Sequence, residues 1–207
     1  GVNTGAIWAS VGILTLIIGL GCQALITDIV AGLFLVAENE FNVGEIIVVD
    51  GFRGTVQEIG IRSTKILDSA GDIKIVNNSD LKNVVNLSRE LSVAICDCGI
   101  DYSEPIEKVE LLIKENLDHI KERIPAIVEG PYYKGVSELA DSAVVVKIVA
   151  LCKEEDRFQV GRDLNREIKL LFDKNDIIIP FPQVTISNYE PAKNVVTKAD
   201  TKKANDF

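Results

Sequence analysis

The chain of 207 residues has no charged residue before Asp28, a single histidine and four scattered cysteines. Each shortage closes a class of function. His119, between Asp118 and Ile120 on an expected helix, has no second imidazole and no obvious nucleophile to serve. No Ser/His/Asp or Cys/His constellation can be built around it. Cys22, Cys96, Cys98 and Cys152 are too few and too scattered for a disulfide framework. Cys96 and Cys98 alternate along an expected strand and share a side. A metal site needs more ligands than these, so they read as buried structural thiols. Neither a GxxxxGK[ST] loop nor a GxGxxG turn is present. Catalytic residues, metal and cofactor are therefore not assigned, and the chain does not read as an enzyme. Basic residues are also short: 22 Lys and Arg against 31 Asp and Glu give a net charge of −9. Phosphate neutralisation needs clustered cations, so nucleic acid is an unsuitable partner, as is a polybasic attachment to a membrane surface. With no Lys or Arg close to the apolar run, the positive-inside rule gives no orientation.

What is present begins with that run. GVNTGAIWASVGILTLIIGLGCQALIT, Gly1 to Thr27, is uncharged and exceeds the ~20 apolar residues that cross a bilayer as a helix. A signal sequence would carry a basic residue ahead of a shorter apolar stretch. At about 100° per residue, Gly5, Ala9, Gly12 and Gly19 fall on one stripe, and small residues let helices approach closely in lipid. Beside it run Ile13, Leu16, Leu20 and Ala24. The opposite side carries Ile7, Val11, Leu14, Ile18, Cys22 and Leu25, which suit lipid or another helix. Leu16 and Leu20 lie one turn apart on one face. In a ring of such helices they would form two stacked apolar collars; in an ordinary bundle they would simply fill space. Periodicity leaves both readings open.

Asp28 interrupts the run, and an amphipathic helix is expected from about Leu25 to Ala37, with Gly32 inside it. An interior glycine marks either a bend or a packing contact. From Phe41 to Arg89 the pattern is β. Ile46–Val49, Gly54–Gly60, Arg62–Leu67 and Ile73–Val76 are short strands, punctuated by Asp50-Gly51 and Ala70-Gly71-Asp72. Short strands with glycine-containing turns indicate a small barrel or sandwich. Beyond Glu90, strands at Leu91–Ile100, Tyr132–Leu139, Ser142–Cys152 and Val184–Tyr189 alternate with helices at Pro105–Ile124 and Arg157–Lys174. The inward residues are expected to be Ile106, Val109, Ile113, Leu117, Ile120 and Ile124 on the first helix, and Val160, Leu164, Ile168 and Leu171 on the second. The order β-α-β-β-α-β is that of a ferredoxin-like unit. The expected architecture is a membrane α-helix with its amphipathic continuation (1–38), a small all-β, Sm-like barrel domain (39–90), an α+β ferredoxin-like domain (91–190) and a disordered tail (191–207) that lacks apolar residues for a core.

The segment FNVGEIIVVDGFRGTVQEIGIRSTKILDSAGDIKIVNNSDLKNVVNLSR resembles the β domain of small-conductance mechanosensitive channels of the MscS type. IGLGCQALITDIVAGLFLV resembles that family's pore-lining helix and its kinked continuation. The shared features are Gln23, Ala31-Gly32, Val43-Gly44-Glu45, Gly54-Thr-Val, Arg62-Ser-Thr and Asn78-Ser79. The resemblance extends more weakly to the C-terminal domain. It implies that Leu16 and Leu20 form the pore constriction. It implies that Gly12 and Gly19, with Gly5 and Ala9 on the same stripe, pack neighbouring pore helices. Bend positions are implied at Ala24, where the best-known member has a glycine, and at Gly32. Ile17 and Thr15 replace small residues of the family's ridge, and Asn77 replaces a common proline. The resemblance further implies a homo-oligomer, a heptamer, in a bacterial inner membrane with the C-terminal domains in the cytoplasm as the wall of a vestibule. Its partners would be membrane lipids and permeating ions and small solutes, released on hypo-osmotic shock. It implies additional transmembrane helices ahead of the pore helix, and the sequence begins after their place. The alternative reading is a non-conducting, membrane-tethered assembly or scaffold module. An Sm-like RNA binder is disfavoured by the charge.

Overall fold

The computed structural model describes residues 4–184 and 186. Helix α1 (Thr4–Ala37) runs for 34 residues without interruption, about 50 Å at the usual helical rise. The apolar run and the expected amphipathic helix are thus one element, continuous through Ala24 and Gly32. Its two halves differ in surroundings. From Thr4 to Thr27 the described side chains are exposed, apart from half-buried Cys22. The hydroxyls of Thr15 and Thr27 bond back to the carbonyls of Val11 and Gln23, at 2.8 and 2.9 Å. The helix therefore satisfies these polar groups from within. Beyond Thr27, Asp28, Gly32 and Leu35 are buried and Ala31 half-buried, the stripe expected of one helical face. Asn39, at φ +53, takes the left-handed conformation that ends a helix.

The β domain is a five-stranded antiparallel sheet in the order β4-β3-β2-β1-β5. The strands are β1 (Ile46–Val49), β2 (Phe52–Ile59), β3 (Ser63–Leu67), β4 (Ile73–Asn77) and β5 (Val85–Asn86). Asp50 and Gly51, both at positive φ, form the two-residue turn between β1 and β2, the chemistry a tight hairpin requires. A bulge between Val56 and Glu58 shifts the β2–β3 register. Alternate strand residues Ile47, Val49, Val56, Ile66 and Val76 form the core together with Phe41, Leu81 and the helix residue Leu35. Burial pushes the Glu45 carboxyl up, but hydrogen bonds from Asn86 and Asn42 outweigh it and hold the group below the usual range.

The α/β domain contains β6 (Ser92–Ile100), α2 (Ile106–Arg123), β7 (Ile127–Leu139), β8 (Val144–Cys152) and α3 (Arg157–Lys174). Its sheet order is β6-β8-β7, antiparallel throughout. That is the arrangement of the first three strands of a ferredoxin-like unit. Of the expected last strand, Val184 and Ile186 are outside any strand and exposed; its other positions from Thr185 on, like the expected tail, lie outside the described residues. Val109, Ile113 and Ile120 of α2, with Ile124 just beyond its end, and Val160, Leu164 and Ile168 of α3 are buried in one core, while Ile106 and Leu117 pack at its margin. Leu171 is also marginal, and Phe172, fully buried, takes the inward place, because a spacing of four from Ile168 stays on the face. Cys96 lies in the core and Cys98 against it, so alternation put both on the inner side, and all four cysteines are free thiols. The hydrogen bond with Cys96, then burial, push the Cys98 thiol up, and burial does the same at Cys152.

Candidate functional site: the uncovered helix and its anchor

Leu16 and Leu20, expected to constrict a pore, are 61% and 66% exposed. The same helix face stays bare at the stripe: Gly5, Ala9, Gly12 and Gly19 are exposed, and a Cβ at Gly12 or Gly19 would meet nothing within 4 Å. Ala24 is exposed too. These residues therefore come onto one helix, and among the described residues nothing covers them. A water-exposed helix of this composition would forfeit about 25 cal/mol for every Å² of apolar surface left uncovered. Lipid or other helices must supply the missing contact.

The lower half of α1 is anchored. Asp28 is 4% exposed and accepts a hydrogen bond from Ser79 Oγ at 2.5 Å. Arg62 Nε lies 3.6 Å from its other oxygen. One turn on, Gly32 sits directly against Asn78: a Cβ there would lie 2.4 Å from Asn78 Nδ2 and 3.1 Å from the carbonyl oxygen of Ile61. Asn78 is itself fixed. Its Nδ2 donates to the carbonyls of Gly60 and Ile61, at 3.0 and 3.1 Å, and its Oδ1 accepts from the Thr64 hydroxyl at 2.9 Å. Leu35 then enters the β core. Three successive turns of the helix are thus held by the short 3-10 turn Asn78–Asp80 and its neighbours.

The sequence shows Asp28 only as an interruption of the apolar run, and nothing in it pairs Asp28 with Ser79 or Arg62. The available signal was a carboxylate four residues before a glycine on a helix that otherwise carries none. Gly32, read as a bend or packing position, has a definite packing reason. Among the described residues no group of three or more His, Cys, Asp or Glu is placed to hold a metal. His119 is exposed on α2 with Glu122 at 3.0 Å.

Comparison with known proteins gives this geometry a family. Residues 24–89 match the β-domain of mechanosensitive ion channels, and residues 94–179 match the C-terminal domain of the MscS type. A small-conductance mechanosensitive channel of Caldanaerobacter subterraneus is 30% identical over 93% of this chain and 68% of its own length. The chain belongs to the MscS family of mechanosensitive ion channels. A large-conductance mechanosensitive channel of Methanocaldococcus jannaschii is 28% identical over 90% of this chain. The chain spans 54% of that relative and 52% of an MscS family protein of Aquifex aeolicus. Among solved structures, the closed state of Helicobacter pylori MscS superposes with a TM-score of 0.71 at 25% identity, covering 91% of this chain and 75% of that one. MscS channels are membrane proteins, and among the described residues α1 has the length and composition to span a bilayer. Relatives of comparable identity carry small- and large-conductance names, so family membership does not fix conductance.

Proposed function

We propose that this chain is the pore-forming subunit of a homo-oligomeric channel gated by membrane tension, with α1 lining the pore. The observation that carries the proposal is the long, uncharged, uncovered half of α1 rising from a half that is pinned to a folded domain. Around a symmetry axis, helices of this kind place Leu16 and Leu20 as stacked collars, and the stripe Gly5, Ala9, Gly12, Gly19 meets the neighbouring helix. The ring is proposed as a heptamer, the number the family resemblance implies. The membrane is the bacterial inner membrane, and the β and α/β domains lie in the cytoplasm as domains 39–90 and 91–190.

A narrow leucine neck sheds water, and a dewetted constriction blocks ions without a plug. Tension favours the state of larger in-plane area and shifts a two-state equilibrium by its differential coupling to the two states. The anchor shapes that motion. Asp28, Gly32 and Leu35 hold the lower half of α1, so the free upper half tilts or rotates against it. A bend at Ala24, just above the anchor, suits this pivot, whereas Gly32 serves the contact with Asn78. Ions and small solutes pass once the neck widens and wets.

The experiment is patch-clamp of the full-length protein in membranes, with Leu16→Ser and Leu20→Ser. Each hydroxyl hydrates the neck, and a lower opening tension is the expected outcome. Unchanged thresholds in both variants would remove the gate from these residues. Absence of any tension-activated current in the parent protein would support the non-conducting scaffold instead.

A further inference from the structure

The β and α/β domains are joined covalently only by the segment Leu87–Leu91, which has no regular secondary structure. A crevice of about 350 Å³ opens beside this linker, lined by Glu45, Ile46, Arg89, Leu91, Lys153 and Glu154. A single linker next to empty space would let one domain swing against the other. A side-chain cluster spans the boundary.

Glu154, in the loop between β8 and α3, is 3% exposed. Its Oε1 accepts from both Nε and Nη2 of Arg53, on β2 of the other domain, at 3.1 and 2.6 Å. Its Oε2 faces Nε of Arg157, at the start of α3, at 3.2 Å. The Phe158 ring lies against both guanidiniums, 5.0 Å from Arg53 Cζ and 4.6 Å from Arg157 Cζ. A carboxylate this buried is costly unless paired, and here each oxygen faces a different arginine. One arginine is local to the α/β domain. The other must be brought by the β domain.

We propose that Arg53, Glu154, Arg157 and Phe158 form an interdomain clamp that holds the α/β domain in a fixed orientation about the Leu87–Leu91 hinge, and that loss of Arg53 releases it. The asymmetry is the core of the inference. Arg157 stabilises Glu154 within one domain and leaves the domains free. Arg53 turns the same carboxylate into a bridge. Its guanidinium is shielded enough by Glu154 and Phe158 for the pair to escape most screening by salt. The two domains then move as one body while the bridge holds, and hinge closure or opening becomes a discrete event of breaking it.

The test uses the full-length protein in detergent or nanodiscs, with spin labels on unnatural side chains at exposed Ser69 and Lys121, one in each domain. With labelled chains diluted in an excess of unlabelled ones, so that only pairs within one subunit are read, the wild-type chain is expected to give one narrow distance distribution. Arg53→Met keeps the stem packing and deletes the charge, and a broadened or shifted distribution is expected. Arg53→Lys restores the charge without the two-nitrogen grip and should fall between. Arg157→Met should leave the distribution narrow. A second readout is trypsin cleavage after Arg89 in the linker. Without Arg53 the docked arrangement keeps Glu154 buried short of a partner, a cost that opening the hinge relieves by rehydration, so Arg53→Met is expected to raise cleavage at Arg89 at least about tenfold, following the open population. Equal behaviour of Arg53→Met and Arg157→Met, or an unchanged narrow distribution in Arg53→Met, would overturn the clamp. Neither readout requires ion conduction, so it stands or falls separately from the channel proposal.

Discussion

Gly32→Ala separates a seated helix from a merely flexible one. An added Cβ would lie 2.4 Å from Asn78 Nδ2, against an ordinary contact distance of ~3.5 Å. The amide must retreat by about 1 Å, or the helix must lift by as much. The amide has little freedom, because Nδ2 is bonded to Gly60 and Ile61 and Oδ1 to Thr64, and Asn78 is 2% exposed. Leaving a buried donor unpaired costs about 1–3 kcal/mol, and disturbing the Thr64 bond adds to it. Alanine returns about 1 kcal/mol through helix propensity. The expected net loss is roughly 1–3 kcal/mol, read as a fall of about 2–4 °C in melting midpoint for each kcal/mol at this chain length. Thermal unfolding of the full-length protein in detergent measures it. The control is Asn78→Ala combined with Gly32→Ala: once the amide is gone, the alanine at 32 should cost much less, giving a coupling energy in the double-mutant cycle. A Gly32→Ala protein as stable as its parent, or more stable, would refute the seating on Asn78 and return Gly32 to the role of a bend.

Other outcomes follow from the same geometry. Gly19→Leu should change the opening threshold because the bulky side chain blocks helix approach, while Ile18→Leu, on the opposite face, should do little; equal effects would count against the stripe as a subunit contact. In a salt gradient, reversal potentials should show only weak ion discrimination, with a slight enrichment of cations from the net charge of −9 per chain, because the neck carries no charged ring and a Debye length of about 8 Å screens a wide vestibule. Strong selectivity that survives high salt would require a charged filter outside the groups described.

The elements that the sequence made legible are those whose signal is local. The uncharged run, the Asp50-Gly51 turn and the four-residue spacing of Val160, Leu164 and Ile168 each follow from the period of a helix or the φ requirement of a turn, and each is found where expected. Phe172 displaced Leu171 as the inward residue because the choice between adjacent positions depends on how the helix is rotated on its sheet. The collar and stripe residues were legible as a pattern, but a pattern on one helix does not contain the neighbour it packs against.

The sequence alone determined that the first part of the chain reads as a helix for lipid or for other helices, since 27 residues without a charge exceed the length that crosses a bilayer. It also determined the acidic character of the chain, a net charge of −9. Only the tertiary structure decided what holds that helix. Asp28 meets Ser79 and Arg62, and Gly32 meets Asn78, across separations of 51, 34 and 46 residues along the chain. Contacts at such distances depend on how the β sheet folds back on the helix, and no periodicity in the sequence records them. The same holds for Arg53 and Glu154, 101 residues apart: each is an ordinary charged residue in its own segment, and burial against the other domain is what makes them a pair.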